Sequence, residues 1–318
     1  MPRAITWQLI VKSLLTIALF VWLVNYANVR FVEIFANLSL AAPRWMLLAL
    51  VLFVIHTLLI YLAWHRSLAL FRLPCGMDVT APLFAFSALT KYVPGGVWHA
   101  GSRVWVLGAK GYSRVSAFFS VILESIYSLV ISAALLCLLF GVMQVAFLPD
   151  WVSAIPRALV LLLGLLMLLA LLLPGCYRLV FDWYYARKLG VTDISNYAPR
   201  RLLELVGLHI AALLVFVAGY YVSFAAFLPM QQVGMLQFAF IVLLATFSGF
   251  IAIFAPAGLG VRESILYLLF ATLIDSPLLV TLCLAPRLLL LIAEVLFFIL
   301  SKLYSGMRSN GPAGATGE

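Results

Sequence analysis

Two short motifs rich in Pro and Gly carry the polar residues best suited to bind a ligand in this otherwise apolar chain. The turn-forming and polar residues of the first motif are Lys91, Pro94, Gly95, Gly96, His99 and Arg103. Those of the second motif are Pro256, Gly258, Gly260, Arg262 and Glu263. In each motif a turn leads into a helix with an Arg in its first turns, which combines free N–H groups, the positive end of the helix dipole and a cation. Both motifs therefore predict an anion site, and phosphate is the natural ligand.

The same residue types have a simpler structural interpretation. Pro and Gly also allow membrane helices to kink and to pack closely, with no ligand involved. A single motif does not separate the two interpretations. Two motifs in corresponding parts of the chain favour a ligand site, because transporters built from repeats bind substrate at paired Gly/Pro interruptions.

Ionisable residues inside apolar segments form a second group of candidates. Glu124 lies 30 residues after Pro94, and Arg287 lies 31 residues after Pro256, so the two occupy nearly equivalent places. A charge in hydrocarbon costs roughly 3 kcal/mol, and each therefore needs a partner. Their opposite charges predict that Glu124 and Arg287 face each other, and Glu294, on the same helical face as Arg287, is the alternative partner. Such residues either hold a bundle together as an ion pair or act on a substrate or proton.

The composition requires a lipid environment for the elements that position these residues. Of 318 residues, 66% are hydrophobic and 10% are charged, and the mean hydropathy is +1.16. Soluble domains carry about 25% charged residues. We therefore predict an all-α integral membrane protein, with a single membrane domain over residues 1–306 and a short C-terminal tail over residues 307–318.

Apolar segments bounded by charges, Pro or Gly predict six transmembrane helices, since a helix needs about 20 residues to cross hydrocarbon. These segments lie near residues 7–28, 44–65, 115–148, 156–174, 202–228 and 278–303. Two further segments, 82–108 and 235–273, contain the motifs and are predicted to form re-entrant helical hairpins. A helix broken in hydrocarbon leaves backbone groups unpaired, so such breaks occur where protein or water satisfies them, and they mark an interior site.

The distribution of Lys and Arg predicts the orientation, because cytoplasmic loops are enriched in these residues. With the N-terminus inside, the loops on that side hold 13 cations, which are Arg3, Lys12, Arg66, Arg72, Lys110, Arg114, Arg178, Arg187, Lys188, Arg200, Arg201, Lys302 and Arg308. The outside holds 3, which are Arg30, Arg44 and Arg157. We therefore expect both termini to be cytoplasmic, and the net charge of +9 does not indicate nucleic-acid binding.

The order of these elements predicts an inverted-topology repeat. Two spans, a hairpin and a further span make up repeat one, residues 7–148, and the same order recurs in repeat two, residues 156–303. The first repeat starts inside and the second starts outside, so the two hairpins enter from opposite faces. Folds of this kind bind substrate near the bilayer midplane, between the repeats.

No motif for soluble-type catalysis occurs in the sequence. The cysteines are widely scattered, without the spacing of disulfides or zinc sites, and we expect packing roles for Cys75, Cys137, Cys176 and Cys283. The four histidines show no metal-ligand spacing, and only His99 lies at a candidate site. We therefore expect no enzyme activity, no metal and no cofactor.

At the two motifs, the chain resembles the flippase-like transmembrane domain of the lysylphosphatidylglycerol synthase family, including its stand-alone prokaryotic members. The matching residues are Pro94, Gly95, Gly96, Arg103, Glu124, the segment from Pro256 to Glu263, and Arg287. The resemblance covers essentially the whole chain. It implies a multi-pass protein of the bacterial inner membrane that moves an anionic or modified phospholipid, or a polyprenyl-linked glycolipid, between leaflets. We expect no soluble aminoacyl transferase domain and therefore no lysine transfer, and Ser125 stands where family members often carry Arg.

Together, the motifs and the resemblance predict a lipid flippase whose midplane anion site binds a lipid phosphate. One alternative is a non-transporting membrane subunit that assists a partner glycosyltransferase or lipid-modifying enzyme. Another alternative is an intramembrane transferase, which would need Glu124 or Glu263 as its catalytic acid.

Overall fold

The computed structural model describes residues 21, 36–39, 41–92, 98–143, 155–177, 198–230, 233–252, 255–274 and 278–309. The regular structure in these ranges is entirely helical. The α-helices are α1 (Pro43–Leu68), α2 (Met77–Thr90), α3 (Trp98–Ala109), α4 (Arg114–Val142), α5 (Arg157–Leu172), α6 (Pro174–Tyr177), α7 (Pro199–Ala225), α8 (Met235–Ile251), α9 (Val261–Phe270) and α10 (Leu279–Ser309). Single 3₁₀ turns follow α1, at Ala69–Phe71, and precede α9, at Pro256–Gly258.

The starts of the long helices follow from local sequence. Pro occupies the first turn of α1, at Pro43, and of α7, at Pro199, where its missing N–H costs nothing. Helix α4 is capped by Ser113, whose Oγ accepts a hydrogen bond from the Ser116 N–H at 3.2 Å. The helices that begin at these residues are long and apolar, so their stability depends on burial in lipid and against one another.

Four of the predicted transmembrane helices are confirmed by length and composition. Among the described residues, the helices long and apolar enough to cross a membrane are Pro43–Phe71, Arg114–Val142, Pro199–Ala225 and Leu279–Met307. Helix α5 matches the fifth predicted span, but at 16 residues it falls short of the roughly 20 that a full crossing requires. The span predicted at 7–28 lies, apart from residue 21, outside the described residues.

Each of the two predicted hairpins consists of two short helices. The first contains α2 and α3, and it begins at Met77 rather than near residue 82, so that Pro82 lies inside α2. The second contains α8 and α9, joined through the 3₁₀ turn Pro256–Gly258. Both interruptions therefore fall at the Pro- and Gly-rich motifs.

The order of long and short helices occurs twice. A long helix, two short helices and a long helix form a first unit, α1–α4, and a second unit, α7–α10. Contacts between the units are reciprocal: α2 packs on α10 and α8 packs on α4, while α1 packs on α10 and α7 packs on α4. Helix α1 packs directly along α7, its counterpart. The cavity described below lies among these contacts.

Helices α1 and α7 run antiparallel. At one end, the Ala42 N–H donates a hydrogen bond to the Ala226 carbonyl at 2.8 Å. At the other end, Arg66 Nη1 lies 3.2 Å from Glu204 Oε1. Since Ala42 precedes α1 and Ala226 follows α7, the counterpart helices of the two units point in opposite directions.

Candidate functional site

A cavity of about 460 Å³ lies between the two units and is lined by residues from eight helices, α1–α4 and α7–α10. Its ionisable lining residues are Lys91, Arg103, Glu124, Arg262, Arg287 and Glu294. Three histidines also line it, and these are His56, His99 and His209. The cavity therefore brings several charged side chains together between apolar helices.

The turn before α9 has three residues in the left-handed region of backbone conformation. Ala257, Gly258 and Gly260 adopt positive φ angles of 51°, 68° and 82°, which is the left-handed region where glycine carries no steric cost. A Cβ atom on Gly258 would lie 2.8 Å from the Gly249 Cα, so the turn packs directly on the backbone of α8. The interruption of the second hairpin is therefore a close-packed, ordered turn.

Glu263 and Arg287 hold this turn in place. The Gly260 N–H donates a hydrogen bond to Glu263 Oε2 at 2.8 Å, which caps the start of α9. Arg287 Nε lies 2.7 Å from Glu263 Oε1, and Arg287 Nη2 donates to the Ala257 carbonyl at 3.0 Å. Both side chains are buried, so one ion pair between α9 and α10 supports the motif at the cavity wall.

Arg103 is held on every nitrogen of its guanidinium group. Nη1 donates to Glu124 Oε2, Nε donates to Ser87 Oγ at 2.6 Å, and Nη2 lies 2.9 Å from His99 Nε2. The Arg103 side chain has no solvent exposure. An Arg with a partner on each nitrogen stabilises the contact of α2, α3 and α4.

Two aromatic rings enclose the same guanidinium group. The Arg103 Cζ lies 4.4 Å from the Trp64 ring centroid and 4.6 Å from the Phe84 ring centroid. Cation–π contacts at these distances add to the ion pair, because the rings exclude water from it. Arg103 thus fixes the wall of the cavity.

The predicted pairing of Glu124 with Arg287 is wrong. Glu124 pairs with Arg103, and Arg287 pairs with Glu263, so each unit neutralises its own charges between its second short helix and its last long helix. The order of charges is exchanged between the units. In the first unit the Arg lies on the short helix and the Glu on the long helix, whereas the second unit has the reverse order.

The alternative partner suggested for Arg287 also binds elsewhere. Glu294, on α10, accepts a hydrogen bond through Oε1 from Lys91 Nζ, at the end of α2. The Glu294 side chain is 5% exposed and that of Lys91 is 30% exposed. This ion pair joins the first unit to the second across the cavity wall.

Arg262 differs from the other three cations of the cavity. Its side chain is buried, but no carboxylate of the described chain lies within 4 Å of it. Its Nε has no hydrogen-bond partner among the described residues. The guanidinium group lies beside Gly249 and 5.9 Å from the centroid of the Phe216 ring. Arg262 is therefore the cation that a bound anion can neutralise.

The predicted site residues fall into three groups. Those that line the cavity are Lys91, His99, Arg103, Glu124, Gly258, Arg262 and Arg287. Gly260 and Glu263 form the capped turn, and Pro256 begins it. Pro94, Gly95 and Gly96 lie outside the described residues.

Sequence reasoning missed two residues of the cavity, His56 and His209. Both lie in predicted transmembrane helices, and a polar residue in such a helix is the same signal that drew attention to Glu124. The expectation that only His99 among the histidines lies at the candidate site is therefore wrong. Within the described ranges, no group of three His, Cys, Asp or Glu side chains is arranged to bind a metal ion.

The comparison with protein families agrees with this architecture. The family model described as lysylphosphatidylglycerol synthase TM region matches residues 9–297 of the chain. No curated protein matches the chain. The match extends over both units and includes all of the cavity residues named above. With its long apolar helices and a family match over nearly its full length, the chain is a multi-pass membrane protein that belongs to the lysylphosphatidylglycerol synthase transmembrane-region family.

Proposed function

We propose that the protein is a lipid flippase of the bacterial inner membrane. In this proposal it moves an anionic phospholipid, or a polyprenyl-linked glycolipid, between leaflets through the cavity between its units. The observation that carries the proposal is Arg262, a buried cation without a carboxylate partner among the described residues, at the wall of that cavity. A buried charge of this kind is unfavourable unless an opposite charge joins it.

The charges around the cavity support a singly charged anion. Four cations lie there, and three of them pair with Glu124, Glu263 and Glu294. One positive charge, that of Arg262, is left over in the described part of the site. A phosphodiester carries a single negative charge and accepts charge-assisted hydrogen bonds from an Arg, so it would neutralise the cavity.

The arrangement of the two units supports transport from one leaflet to the other. Helices α1 and α7 are antiparallel counterparts, and the contacts between units are reciprocal, as an inverted-topology repeat with two re-entrant hairpins requires. Transporters of this kind alternate access to a site between their repeats. A cavity lined by both units fits that mechanism.

The contact between Arg66 and Glu204 supports the proposed orientation. It brings the C-terminal end of α1 and the N-terminal end of α7 to one face. The cation distribution assigns that same end of both helices to the cytoplasm, with both termini on that side.

We also propose that the protein is not an enzyme. Its two candidate acids are bonded: Glu124 accepts from Arg103, and Glu263 caps α9 and pairs with Arg287. In this proposal both carboxylates hold helices together, and neither acts on a substrate. The proposed partner is a membrane lipid, and a partner enzyme belongs to the alternative in which the chain is a non-transporting subunit.

The proposal is tested by leaflet-resolved lipid movement in proteoliposomes that contain fluorescent phosphatidylglycerol. We expect the wild-type protein to exceed empty vesicles, and Arg262→Gln to lower the rate by about tenfold or more, since it removes charge-assisted hydrogen bonds. The control is Arg44→Gln, a change of the same chemistry at an exposed position on α1. A wild-type rate equal to that of empty vesicles would reject the flippase and favour the non-transporting subunit.

A further inference from the structure

His56, on α1, and His209, on α7, each bond a backbone carbonyl of α7 through Nδ1. His56 Nδ1 lies 2.8 Å from the Ala212 carbonyl, and His209 Nδ1 lies 2.8 Å from the Leu205 carbonyl. A carbonyl oxygen can only accept, so Nδ1 carries the proton in both rings. In a neutral imidazole, Nε2 is then an acceptor.

The His209 Nε2 has no hydrogen-bond donor within the described chain. The atom is buried, the whole residue is 2% exposed, and the side chain lines the cavity. Buried acceptors in proteins are almost always paired. An unpaired acceptor on a cavity wall therefore points to a donor that arrives with the ligand.

His56 lies close to the unpaired cation. Its ring centroid is 4.9 Å from that of Phe216, and the Arg262 Cζ is 5.9 Å from the same Phe216 centroid. The His56 ring centroid and the Arg262 Cζ are thus no more than about 11 Å apart. A single headgroup can reach both if it has a phosphate at one end and a hydrogen-bond donor at the other.

We propose that His56 and His209 select headgroups with hydroxyl groups, so that the ligand is a polyol or sugar phosphodiester. This inference rests on the proposed function and specifies its substrate class. A neutral imidazole can accept a hydrogen bond from a hydroxyl group, and this contact adds no charge to the cavity. An ammonium headgroup would add a second positive charge to a cavity that already holds one in excess.

The test compares two lipids of equal charge. Phosphatidylglycerol carries two hydroxyl groups, and phosphatidylmethanol carries none, while both are singly charged phosphodiesters. We expect the purified wild-type protein to bind short-chain phosphatidylglycerol about three- to tenfold more tightly, which corresponds to one net hydrogen bond. Water-soluble glycerophosphoglycerol is a third probe. If it binds as tightly as short-chain phosphatidylglycerol, the site is assigned to a free phosphodiester instead of a lipid headgroup.

The variants test whether the lipid preference comes from the Nε2 acceptor and not from the imidazole ring as a whole. His209→Asn and His56→Asn keep a donor near the position of Nδ1 but lack an acceptor at Nε2. The ratio of the affinity for phosphatidylglycerol to that for phosphatidylmethanol should therefore fall towards one. His209→Gln places an amide oxygen near Nε2 and should restore part of the preference. His65→Asn is the matched control, because His65 Nδ1 bonds Thr80 Oγ1 at 2.9 Å and the side chain does not line the cavity.

The outcomes for the inference and for the proposed function differ. Equal binding of the two lipids by the wild-type protein overturns the hydroxyl selection but leaves a phosphodiester flippase. If neither lipid binds, the proposed function fails and the selection fails with it. Size-exclusion chromatography of each variant identifies misfolding, and if one Asn variant misfolds, the other provides the test.

Discussion

Lys91 and Glu294 form an ion pair that joins the two units of the fold at the cavity. Lys91 follows the first short helix of the first unit, and Glu294 lies in the last long helix of the second. The other two ion pairs of the cavity, Arg103 with Glu124 and Arg287 with Glu263, each lie within a unit. Motion of one unit against the other must therefore disturb the Lys91–Glu294 pair while leaving the other two intact.

Removal of either partner of that pair should have unequal effects. Lys91→Met leaves a carboxylate that is only 5% exposed, so we expect a loss of about 3 kcal/mol in stability. Glu294→Gln leaves an ammonium group that water reaches, and the loss should be about 1 kcal/mol or less. Thermal unfolding in detergent measures both, and the double variant should recover much of the larger loss. A double variant that loses as much as the two single variants together would contradict the inter-unit pair.

The pairing within units makes a second prediction. Glu124→Gln and Arg103→Gln should compensate in the double variant, because removing both leaves no orphan charge. Glu124→Gln and Arg287→Gln should instead add to within about 0.5 kcal/mol, since the two residues have different partners. Folded yield and unfolding temperature provide the measurements. Compensation between Glu124→Gln and Arg287→Gln would show that these two residues do interact with each other.

The turn before α9 should not tolerate a side chain at Gly258. A Cβ there would lie 2.8 Å from the Gly249 Cα, and the φ of 68° is strained for alanine. We expect Gly258→Ala to lower stability by about 1–3 kcal/mol, as measured by thermal unfolding in detergent. Gly207→Ala is the control, because nothing lies within 4 Å of its Cβ position on α7, and a helical alanine should be neutral or stabilising. An equal response of the two variants would show that the turn relaxes freely.

The orientation makes a fourth prediction. In a background without the native cysteines, a Cys at position 66 should react with a membrane-impermeant maleimide only when the cytoplasmic face is open. A Cys at position 44, at the other end of α1, should react in intact cells. Labelling of position 66 from outside intact cells would reverse the orientation.

Local sequence predicts the helices of this fold better than it predicts their contacts. Apolar length and Pro or Gly punctuation account for α1, α4, α7 and α10 and for both interrupted segments. Ion-pair partners depend on the rotation of each helix and on the distance between helices. Glu124 and Arg287 therefore occupy equivalent places in sequence, and yet each has a partner in its own unit.

The same limit applies to the site residues. The sequence pattern does not distinguish Arg103 from Arg262, since each Arg follows a Pro- and Gly-rich turn. Only the surroundings show that Arg103 is bonded on every nitrogen, whereas Arg262 lacks a carboxylate in the described chain. His56 and His209 were missed because a lone histidine in a span is most often a packing residue, and its face is unknown until α1 and α7 are packed.

The exchanged order of Arg and Glu in the two units means that their equivalence holds for the backbone but not for electric charge. Arg103 on α3 corresponds to Glu263 on α9, and Glu124 on α4 corresponds to Arg287 on α10. The two units therefore place charges of opposite sign on corresponding helices around the same cavity. For the proposed flippase, a cavity open to one leaflet would therefore differ in energy from a cavity open to the other, and the empty protein would favour one side.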